Sequence, residues 1–344
     1  MIVTQHCPPL VCLSGACLPF AFYIPRLLLL SSQSFPLSDI GTMGGFLDFC
    51  YRQLTYKPKP LPTAVSFVGK IALITGANSG LGLEAAHELA SHGISRLILA
   101  VRDAEKGESA KTSILARSAE TNVEVLDYAL LNAGLKKMEY STANTGHELN
   151  VQINHIATSA VSFAAVRALS ATAGKTHVPG RLTIVSSEGH FWIPFKERHA
   201  EKILERMDDK ETFGSQMQRY YTTKLLNVLW TRSLAEKIPA TEIIINTVNP
   251  GFCYSGLHRH EGTGIIKIFL WMFGWTSEQG GHCLVDALTQ HDNSHGKYLS
   301  DQKETDPSPF VLSDEGKADT KRIWEETTAL LRKEAPGVDM SPLV

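Results

Sequence analysis

The sequence predicts an α/β protein in which helices cover both faces of a doubly wound parallel sheet. From Lys70 onward, short apolar runs alternate with segments whose apolar residues recur at helical spacing. A glycine-rich stretch, TGANSGLG at residues 75–82, joins the first run to the first helical segment. Small polar residues follow several runs, which is typical of parallel strands whose carboxyl ends line a ligand crevice. These observations predict a single large domain with its functional site at that edge.

The individual elements follow from the local pattern of the chain. Runs rich in branched apolar residues predict strands at residues 71–75, 97–101, 123–126, 182–185 and 243–248, and residues 129–131 end a further strand. Apolar residues at helical spacing predict helices at residues 83–91, 105–118, 148–171, 216–237 and 313–333. Gly93 is placed to end the first helix. The last helix carries its apolar residues on one face, namely Ile323, Trp324, Thr327, Leu330 and Leu331.

The first 42 residues differ from the rest of the chain. They carry no Asp, Glu, Lys or Arg before Arg26, and Pro19 and Pro25 interrupt the segment that would have to form a membrane helix. A secretory signal would begin with basic residues, which this segment lacks. The expected organisation is a disordered or misannotated leader at residues 1–42, an amphipathic segment and stiff linker at 43–69, the sheet domain at 70–336 and a tail at 337–344.

Charge and cysteine content exclude several classes of function. The formal net charge is −2, without the basic excess of a nucleic-acid-binding surface. The six cysteines form no Cys-x-x-Cys pair, which disfavours zinc and favours free thiols in a reducing compartment. We expect a cytoplasmic protein, with membrane contact through residues 10–30 or 264–275 as the less favoured alternative. Four histidines lack metal-ligand spacing and are interpreted as surface or hydrogen-bonded groups: His190, His258, His260 and His282.

The stretch TGANSGLG has the features of a phosphate-binding loop. Its glycines allow backbone conformations and close approaches that side chains prevent. The helix that begins there offers unpaired N–H groups and a partial positive charge to a pyrophosphate. The spacing departs from G-x-G-x-x-G, so a plain glycine-rich turn is the competing interpretation. The strand–turn–helix context favours dinucleotide binding, and the candidate contacts are Gly76, Asn78, Ser79, Gly80, Leu81 and Gly82.

Arg102 and Asp103 follow the second predicted strand, where the ribose of a dinucleotide would bind. An arginine there accommodates the 2′-phosphate of NADP, whereas a carboxylate binds the ribose 2′-hydroxyl of NAD. Because Arg102 comes first, NADP is favoured over NAD, and Asp103 keeps the choice open. A solvated strand end is the competing interpretation.

A tyrosine and a lysine in YYTTK are candidates for proton transfer. Tyr220 and Lys224 are four residues apart and share one helical face. A phenol has an ordinary pKa of about 10, and a nearby ammonium favours the phenolate. Surface Tyr–Lys pairs share this spacing, so the context decides. Ser186-Ser187, Asn132-Ala133-Gly134 and Asn249-Pro250-Gly251 each follow a predicted strand, at the edge that holds the glycine-rich loop.

In this order, TGANSGLG, NAG, VSS, YYTTK and NPG resemble the motifs of the short-chain dehydrogenases/reductases, a family with a Rossmann-type sheet. The resemblance covers residues 70–336. SHGKYLSD (294–301) and PSPFVLSDEG (307–316) resemble the C-terminal part of fungal members with a retinol-dehydrogenase-like layout. The resemblance implies NADP(H)-dependent hydride transfer between nicotinamide and a small alcohol or carbonyl substrate, with a role in fungal secondary metabolism. It also implies that the chain can form a homodimer, as family members often do.

The resemblance also implies a role for each matching residue. Tyr220 would exchange a proton with the substrate oxygen, and Lys224 would bind the nicotinamide ribose and lower the pKa of the tyrosine. Ser187 would hydrogen-bond the substrate oxygen, and Asn154 would support a water relay behind the lysine. The other implied cofactor contacts are Asp127 at the adenine, Asn132 at the adenosine ribose, and Pro250 and Gly251 after a later strand.

Two apolar segments are candidates for the substrate pocket. One follows Ser187 and contains Phe191, Trp192 and Phe195. The other is GIIKIFLWMFGW at residues 264–275, a candidate wall or lid. Apolar side chains dominate the lining of most ligand pockets. Core packing explains both segments equally well.

The stretch NVEVLDYALLNAG, residues 122–134, places two predicted strands in succession with only Asp127 and Tyr128 between them. Neighbouring parallel strands need a crossover of at least about ten to twelve residues. Members of the resembled family carry a helix and most of a strand here, so we hypothesise a deletion of roughly twenty residues, from a lost exon or alternative splicing. We expect only one of the two strands in the sheet and a face without its covering helix. The alternative function is therefore a truncated, catalytically impaired cofactor-binding or interaction protein.

Overall fold

A computed structural model describes residues 45–115, 126–214, 217–258, 264–341 and residue 343. The predicted leader, which includes the membrane-contact candidate at residues 10–30, lies outside these ranges. His260 lies outside them as well. Among the described residues, Cys50, Cys253 and Cys283 are free thiols, as the sequence predicts.

Within the described residues, the sheet has seven strands and matches the predicted fold class. In chain order they are β1 (Ile71–Thr75), β2 (Arg96–Ala100), β3 (Tyr128–Leu131), β4 (Gly180–Val185), β5 (Ile243–Asn249), β6 (Tyr298–Ser300) and β7 (Lys303–Thr305). Their spatial order is β2-β1-β3-β4-β5-β6-β7, and every pair is parallel except the β6–β7 hairpin. The doubly wound parallel sheet is confirmed, whereas the hairpin is not predicted by the sequence pattern.

The strand that ends before Asn132-Ala133-Gly134 lies directly beside β1. β3 pairs with β1 from Ala72 opposite Tyr128 to Thr75 opposite Leu131. Of the strand predicted at residues 123–126, only Leu126 is described, and it is buried but not part of a strand. One predicted strand therefore occupies the parallel position, as expected for a chain without room for a crossover. On this side, β2 is the outermost described strand.

Helices pack on both faces of the sheet. In chain order they are α1 (Phe46–Thr55), α2 (Gly80–Ser91), α3 (Ala104–Leu115), α4 (Leu149–Thr176), α5 (Ile203–Asp208), α6 (Gln218–Lys237), α7 (Gly264–Phe273), α8 (Ser277–Thr289), α9 (Pro309–Leu312) and α10 (Asp314–Glu334). A π-helical turn at Gln152–Ile156 interrupts α4. The helices α4, α6 and α10 cover one face, and α2 and α8 cover the other.

Large aromatic side chains fill the core on the α4 and α6 face. Trp230 stacks on Trp324 with ring centroids 4.7 Å apart, and Phe163 meets Trp230 edge-on at 5.6 Å. The predicted apolar face of α10 supplies Trp324 and Ile323 to this core. Among the described residues, α4 is the one helix long and apolar enough to cross a membrane, and its contacts with β3 and β4 mark it as a core helix.

The segment predicted as a stiff linker is attached to the domain along its length. The Tyr56 hydroxyl donates to Oε1 of Gln302 at 2.8 Å, and Gln302 also bonds both the N–H and the carbonyl of Lys59. Leu61 is buried, and its N–H donates to Oε1 of Glu88 at 2.8 Å. Long-range hydrogen bonds therefore hold this segment against α2 and the β6–β7 turn.

Candidate active site

The predicted strand ends converge at one edge of the sheet. Thr75 lies opposite Leu131, Leu131 opposite Ile184, and Val185 opposite Val248. Because these strands are parallel and in register, the loops after β1, β3, β4 and β5 all leave the sheet at the same carboxyl edge. This edge is where ligands bind in open α/β sheets.

The glycine-rich loop has the backbone geometry that its sequence indicates. Gly76 and Gly80 have φ of +68° and +58°, a region that strains other residues. A Cβ atom on Gly82 would lie 2.5 Å from Nδ2 of Asn132. Ser79, the N-cap of α2, makes no side-chain capping hydrogen bond, so the first N–H groups of the helix can face a ligand. This cradle fits a pyrophosphate.

Asn132 fixes the shape of the glycine-rich loop. Its Nδ2 donates to the carbonyls of Thr75 at 3.1 Å and Gly76 at 3.3 Å. The adjacent N–H of Ala133 donates to Oγ1 of Thr75 at 2.9 Å. Asn132 therefore positions the phosphate cradle through the first strand, while its contact with the adenosine ribose stays a prediction.

Arg102 and Asp103, in the loop after β2, have different surroundings. Asp103 accepts a hydrogen bond from the Lys106 N–H at 3.1 Å and pairs with Lys106 Nζ at 3.0 Å. These interactions, led by the Lys106 side chain, lower the pKa of Asp103. Arg102 is exposed and, within the part of the chain that is described, makes no hydrogen bond or ion pair. Asp103 thus serves the first turn of α3, and Arg102 faces the solvent at the edge of the crevice.

Asp127 lies at the opposite end of the sheet from the predicted crevice. Its carboxylate accepts from the Ile71 N–H at 2.9 Å and from Lys70 Nζ at 2.9 Å. Ile71 is the first residue of β1, and the glycine-rich loop begins at Gly76, a strand length of roughly 16 Å away. The predicted adenine contact is therefore wrong, because β3 enters the sheet immediately after Asp127 and holds it at the amino edge.

Tyr220 and Lys224 lie side by side on α6 beneath the end of β4. Both are buried, with 7% and 4% of their surfaces exposed. Lys224 Nζ is 5.7 Å from the centroid of the Tyr220 ring and donates to the Val185 carbonyl at 3.0 Å. Burial lowers the pKa of Lys224 to about 8. Burial also raises the pKa of Tyr220 far above its ordinary value, while a hydrogen bond with the Ser187 side chain lowers it.

Asn154 lies in the π-helical turn of α4 and faces Lys224 across Gly134. Its Oδ1 accepts from the Leu135 N–H at 2.8 Å, and its Nδ2 donates to Oγ1 of Thr223 at 3.0 Å. A Cβ atom on Gly134 would lie 3.2 Å from Asn154 Oδ1 and 3.6 Å from Lys224 Nζ. The glycine therefore leaves space between the amide and the ammonium. Such π-helical turns occur frequently at functional sites.

The two serines after β4 point to different partners. Ser186 Oγ donates to the Lys224 carbonyl at 2.8 Å and so ties β4 to α6. Ser187 hydrogen-bonds the Tyr220 hydroxyl and caps the 3₁₀ turn Glu188–Phe191. The structure therefore groups Ser187 with Tyr220 and Lys224.

His190 is buried, and both of its ring nitrogens make hydrogen bonds, which agrees with the prediction of a hydrogen-bonded group. Its Nε2 accepts from the Ser308 N–H at 3.0 Å, so the other ring nitrogen carries the proton and donates to the Ser187 carbonyl at 2.7 Å. Burial lowers the pKa of His190 to about 4. The neutral ring therefore connects the backbone of Ser187 to the C-terminal part of the chain.

Sequence reasoning missed an ion-pair cluster behind Ser187. Arg52 of α1 pairs with Glu188, with Asp301 at 2.6 Å and with Asp48 at 2.8 Å. Burial raises the pKa of Glu188 to about 7, against the opposing effect of Arg52. Arg52, Glu188 and Asp301 line a cavity of about 460 Å³. No local signal reveals the pairs of Arg52 with Glu188 and Asp301, because these partners are 136 and 249 residues away in sequence.

The predicted pocket walls divide between the site and the core. Phe195 is buried in the α4–α6 core, so core packing is the explanation that holds for this residue. The Trp192 ring packs between the rings of Phe49 in α1 and Tyr221, with centroid distances of 5.5 Å and 5.8 Å. The ring centroids of Phe269 in α7 and Phe49 in α1 are 6.4 Å apart. The two helices therefore form an apolar wall that reaches Tyr221 through Trp192.

The remaining predicted contacts lie at the crevice edge or support it. Pro250 and Gly251 follow β5, and Gly251 has φ of +80° with a Cβ position 2.4 Å from the Trp275 ring. Leu81 packs under Gly280 of α8, which makes it a structural residue of the loop. Asn78 is half-buried in the same loop.

Comparisons with known proteins agree with this arrangement. The KR domain family model matches residues 71–177. Short chain dehydrogenase sol3 of Alternaria solani is 48% identical over 283 residues, covering 76% of this chain and 99% of that protein. Short-chain dehydrogenase/reductase phmF of Phaeosphaeria nodorum is 33% identical over 319 residues, covering 84% and 94%.

The alignment with the Alternaria protein also bears on the missing crossover. Because 76% of 344 residues is about 261, about 22 of the 283 aligned positions have no residue opposite them in this chain. This number agrees in size with the helix and strand that are hypothesised to be missing before Asn132.

Two solved structures share the fold. An uncharacterized protein from Mycobacterium paratuberculosis has a TM-score of 0.59 at 21% identity, covering 80% of this chain and 98% of its own. The RhlG/NADP active-site complex of Pseudomonas aeruginosa has a TM-score of 0.51 at 19% identity, covering 70% and 97%. The fold, the converging strand ends and the 48% identity to a curated relative lead to one assignment. This chain belongs to the short-chain dehydrogenase/reductase family of oxidoreductases.

Proposed function

We propose that this protein is an NADP(H)-dependent oxidoreductase acting on an alcohol/carbonyl pair, with Tyr220 as the proton donor and acceptor. One observation carries the proposal: Ser187, Tyr220 and Lys224 meet at the carboxyl edge of the sheet that also holds the glycine-rich loop. A bound nicotinamide dinucleotide would supply the hydride. The described residues supply position, a proton and a place for charge on the substrate oxygen.

The high pKa of Tyr220 suits the reductive direction. Because burial keeps the phenol protonated near neutral pH, Tyr220 can donate its proton to the oxygen of a carbonyl as negative charge develops there. Ser187 offers a second hydrogen bond to the same oxygen. Lys224 then stands beside the phenolate that remains and stabilises it electrostatically.

Asn154 and Gly134 support the return of a proton to this centre. The space that Gly134 leaves between the Asn154 amide and the Lys224 ammonium suits a water-mediated relay. The buried Asn154 is held by hydrogen bonds to Leu135 and Thr223, so its amide keeps one orientation.

The preference for NADP rests on Arg102 and Asp103 in the loop after β2. Asp103 is engaged with Lys106 in the first turn of α3, which leaves exposed Arg102 to meet a 2′-phosphate. The RhlG complex of similar fold contains NADP. A role in fungal secondary metabolism stays a prediction from the resemblance, and the relatives reported above are fungal proteins.

A second candidate function, a cofactor-binding protein with impaired catalysis, is supported by a specific observation. β3 takes the position beside β1 with no room for a crossover, and Asp127 lies away from the crevice. A chain altered in this way could retain cofactor binding while its turnover is impaired.

Titration with NADPH and NADH, followed by a panel of aldehydes and ketones, tests the proposal. We expect a higher melting temperature with NADPH than with NADH, and oxidation of NADPH at 340 nm with at least one carbonyl. Binding without turnover would favour the impaired cofactor-binding protein. A chain that binds neither dinucleotide would overturn both functions.

A further inference from the structure

The helix α1 lies outside the part of the chain that matches the family model, yet it is packed into the domain. The match covers residues 71–177, whereas α1 spans Phe46–Thr55. Two side chains of α1, Phe49 and Gln53, are buried against the domain, with 6% and 2% of their surfaces exposed. The catalytic scheme above uses neither of them, so the role of α1 is still to be explained.

Gln53 binds the chain on both sides of α7. Its Nε2 donates to the carbonyl of Phe252 at 3.0 Å and to that of Phe273 at 2.8 Å. Its Oε1 accepts from the Phe252 N–H at 3.2 Å. Its backbone carbonyl accepts from Nε1 of Trp275 at 2.9 Å. One buried residue of α1 thus holds Phe252, Phe273 and Trp275, which together form the base of α7.

The base of α7 is joined by the backbone as well, so Gln53 has a different role from closing it. The Trp275 N–H donates to the Phe252 carbonyl at 2.8 Å. The side chain of Gln53 instead ties this base to α1 and so sets its position beside the crevice. The neighbouring Gly251 N–H donates to Oδ1 of Asn249 at 3.2 Å, which supports the predicted cofactor contact independently of Gln53.

Aromatic rings connect α1 and α7 to the proton donor. Phe49 lies between Phe269 of α7 and Trp192, and Trp192 meets Tyr221. The ring centroids of Tyr221 and Tyr220 are 5.9 Å apart. Trp192 and Phe269 are only partly buried, so this apolar wall keeps some aromatic surface open. The position of α7 against α1 therefore determines where that surface lies relative to Tyr220.

We propose that Gln53 is a positioning residue for the substrate, and that the site prefers an aromatic carbonyl compound. Gln53 acts through the base of α7, which holds Phe269 against Phe49. A flat apolar ring system can pack on such a wall in stacked or edge-on contact while its carbonyl oxygen meets Tyr220. This inference rests on the proposed function and adds the substrate class to it.

The substitution Gln53→Leu isolates this role, because it keeps a side chain of similar size and removes the amide. The Phe252 and Phe273 carbonyls would each lose a buried donor, which favours arrangements in which α7 moves towards water. If the arrangement that binds the substrate is then populated about one tenth of the time, the apparent KM rises about tenfold.

Two aldehydes and three variants test the proposal. 2-Naphthaldehyde is large enough to cover the aromatic wall, whereas propanal is not. Gln53→Leu removes the tie, and Phe49→Leu removes a ring of the wall. Thr55→Val is the matched control, since the exposed Thr55 hydroxyl bonds the Tyr51 carbonyl within α1.

Gln53→Leu should raise the KM for 2-naphthaldehyde about tenfold at nearly unchanged kcat and NADPH affinity, while kcat/KM for propanal stays within about twofold. Phe49→Leu should show the same selective loss, and Thr55→Val should match the wild type. Equal losses on both aldehydes, a loss in kcat alone or an unchanged KM would overturn the role of Gln53. A wild type that does not prefer the naphthyl compound would overturn the substrate class.

Hydrogen–deuterium exchange gives a readout that needs no turnover. In Gln53→Leu, a peptide covering residues 264–275 should exchange faster than in the wild type, while peptides from α6 keep their wild-type rates. Unchanged exchange in residues 264–275, or faster exchange throughout the protein, would overturn the positioning role. If the expected exchange is seen but the wild type reduces neither aldehyde, nor any other carbonyl, the proposed function fails separately.

Discussion

The two sides of the sheet differ in how completely their strands are buried. On the catalytic side, β5 is buried at all seven residues and β4 at five of six. On the other side, called the adenosine side because the predicted adenosine contact Arg102 follows β2, every second residue of β2 is exposed, and Ile98 keeps 39% of its surface in solvent. Ser187, Tyr220 and Lys224 rest on the buried side, whereas Arg102 follows the exposed strand.

This difference predicts where the hypothesised loss of a crossover unit would have its effect. β3 lies in direct contact with β1, so the catalytic strands are continuous, and β2 is the outermost described strand. The reaction centre is therefore expected to survive the loss, while the part that would hold the adenosine is less supported. Each prediction below probes one side of this comparison.

The largest expected effect on stability comes from the ion pairs that Arg52 of α1 makes with Glu188 and Asp301 on the catalytic side. Arg52→Met leaves buried Glu188 and partly buried Asp301 beside the cavity without their cation, which should cost about 3–5 kcal/mol in the free energy of unfolding. Because the pKa of Glu188 is about 7, its carboxylate is largely neutral at pH 6 and charged at pH 9. Urea unfolding should thus show a larger deficit at pH 9. A deficit below about 1 kcal/mol at both pH values would contradict a bracing role for Arg52.

A pair of isoleucines compares the two sides directly. Ile245→Ala in buried β5 should cost about 2–5 kcal/mol, since it removes a fully buried side chain. Ile98→Ala in β2 should cost less than about 1 kcal/mol, because that side chain already faces solvent. Chemical denaturation of the two variants gives both values. Equal costs would mean that β2 is as well covered as β5.

His190 is expected to make the free energy of unfolding depend on pH. Its folded pKa of about 4 lies below the ordinary value near 6.5, so its contribution is complete above pH 6.5 and is lost as the pH falls towards 4. Protonation would also remove the Nε2 acceptor of the Ser308 N–H. Across this window we expect a loss on the order of 2–3 kcal/mol relative to His190→Gln, measured by unfolding from pH 7.5 to 4.5. If the wild type and His190→Gln lost the same unfolding free energy over this pH range, His190 would not be the source of the pH dependence.

The smallest expected effect lies on the adenosine side. Arg102→Ala should raise the KM for NADPH about fivefold with little change in kcat, because one exposed ion pair with the 2′-phosphate contributes about 1 kcal/mol. The KM for NADH should not change. Arg96→Ala is the matched control, since Arg96 begins the same strand at the opposite edge. A loss of NADPH and NADH affinity by the same factor would show that Arg102 acts on the fold instead.

Much of the fold could be predicted because its signals are local. The glycines of the loop, the serines after β4 and the Tyr220–Lys224 spacing are all readable in short windows. The helix α8 also has a local signal, a capping box between Thr276 and Gln279, which the sequence analysis passed over.

The errors arose where position depends on partners distant in sequence. Asp127 has the expected residue type, but strand pairing places it at the amino edge of the sheet. The β6–β7 turn uses Asp301 and Gln302, two non-glycine residues at positive φ, on strands of three residues each. Arg52 and Glu188 meet only after the chain has folded.

The most direct test of the account compares two neighbouring tyrosines. Tyr220→Phe removes the hydroxyl beside Ser187, and Tyr221→Phe removes one from the adjacent residue while keeping its ring packed on Trp192. With NADPH and the best carbonyl of the panel, Tyr220→Phe should lose on the order of 10²–10⁴-fold in kcat at unchanged NADPH affinity, and Tyr221→Phe should stay near the wild type. Equal turnover by the wild type and Tyr220→Phe would contradict the account.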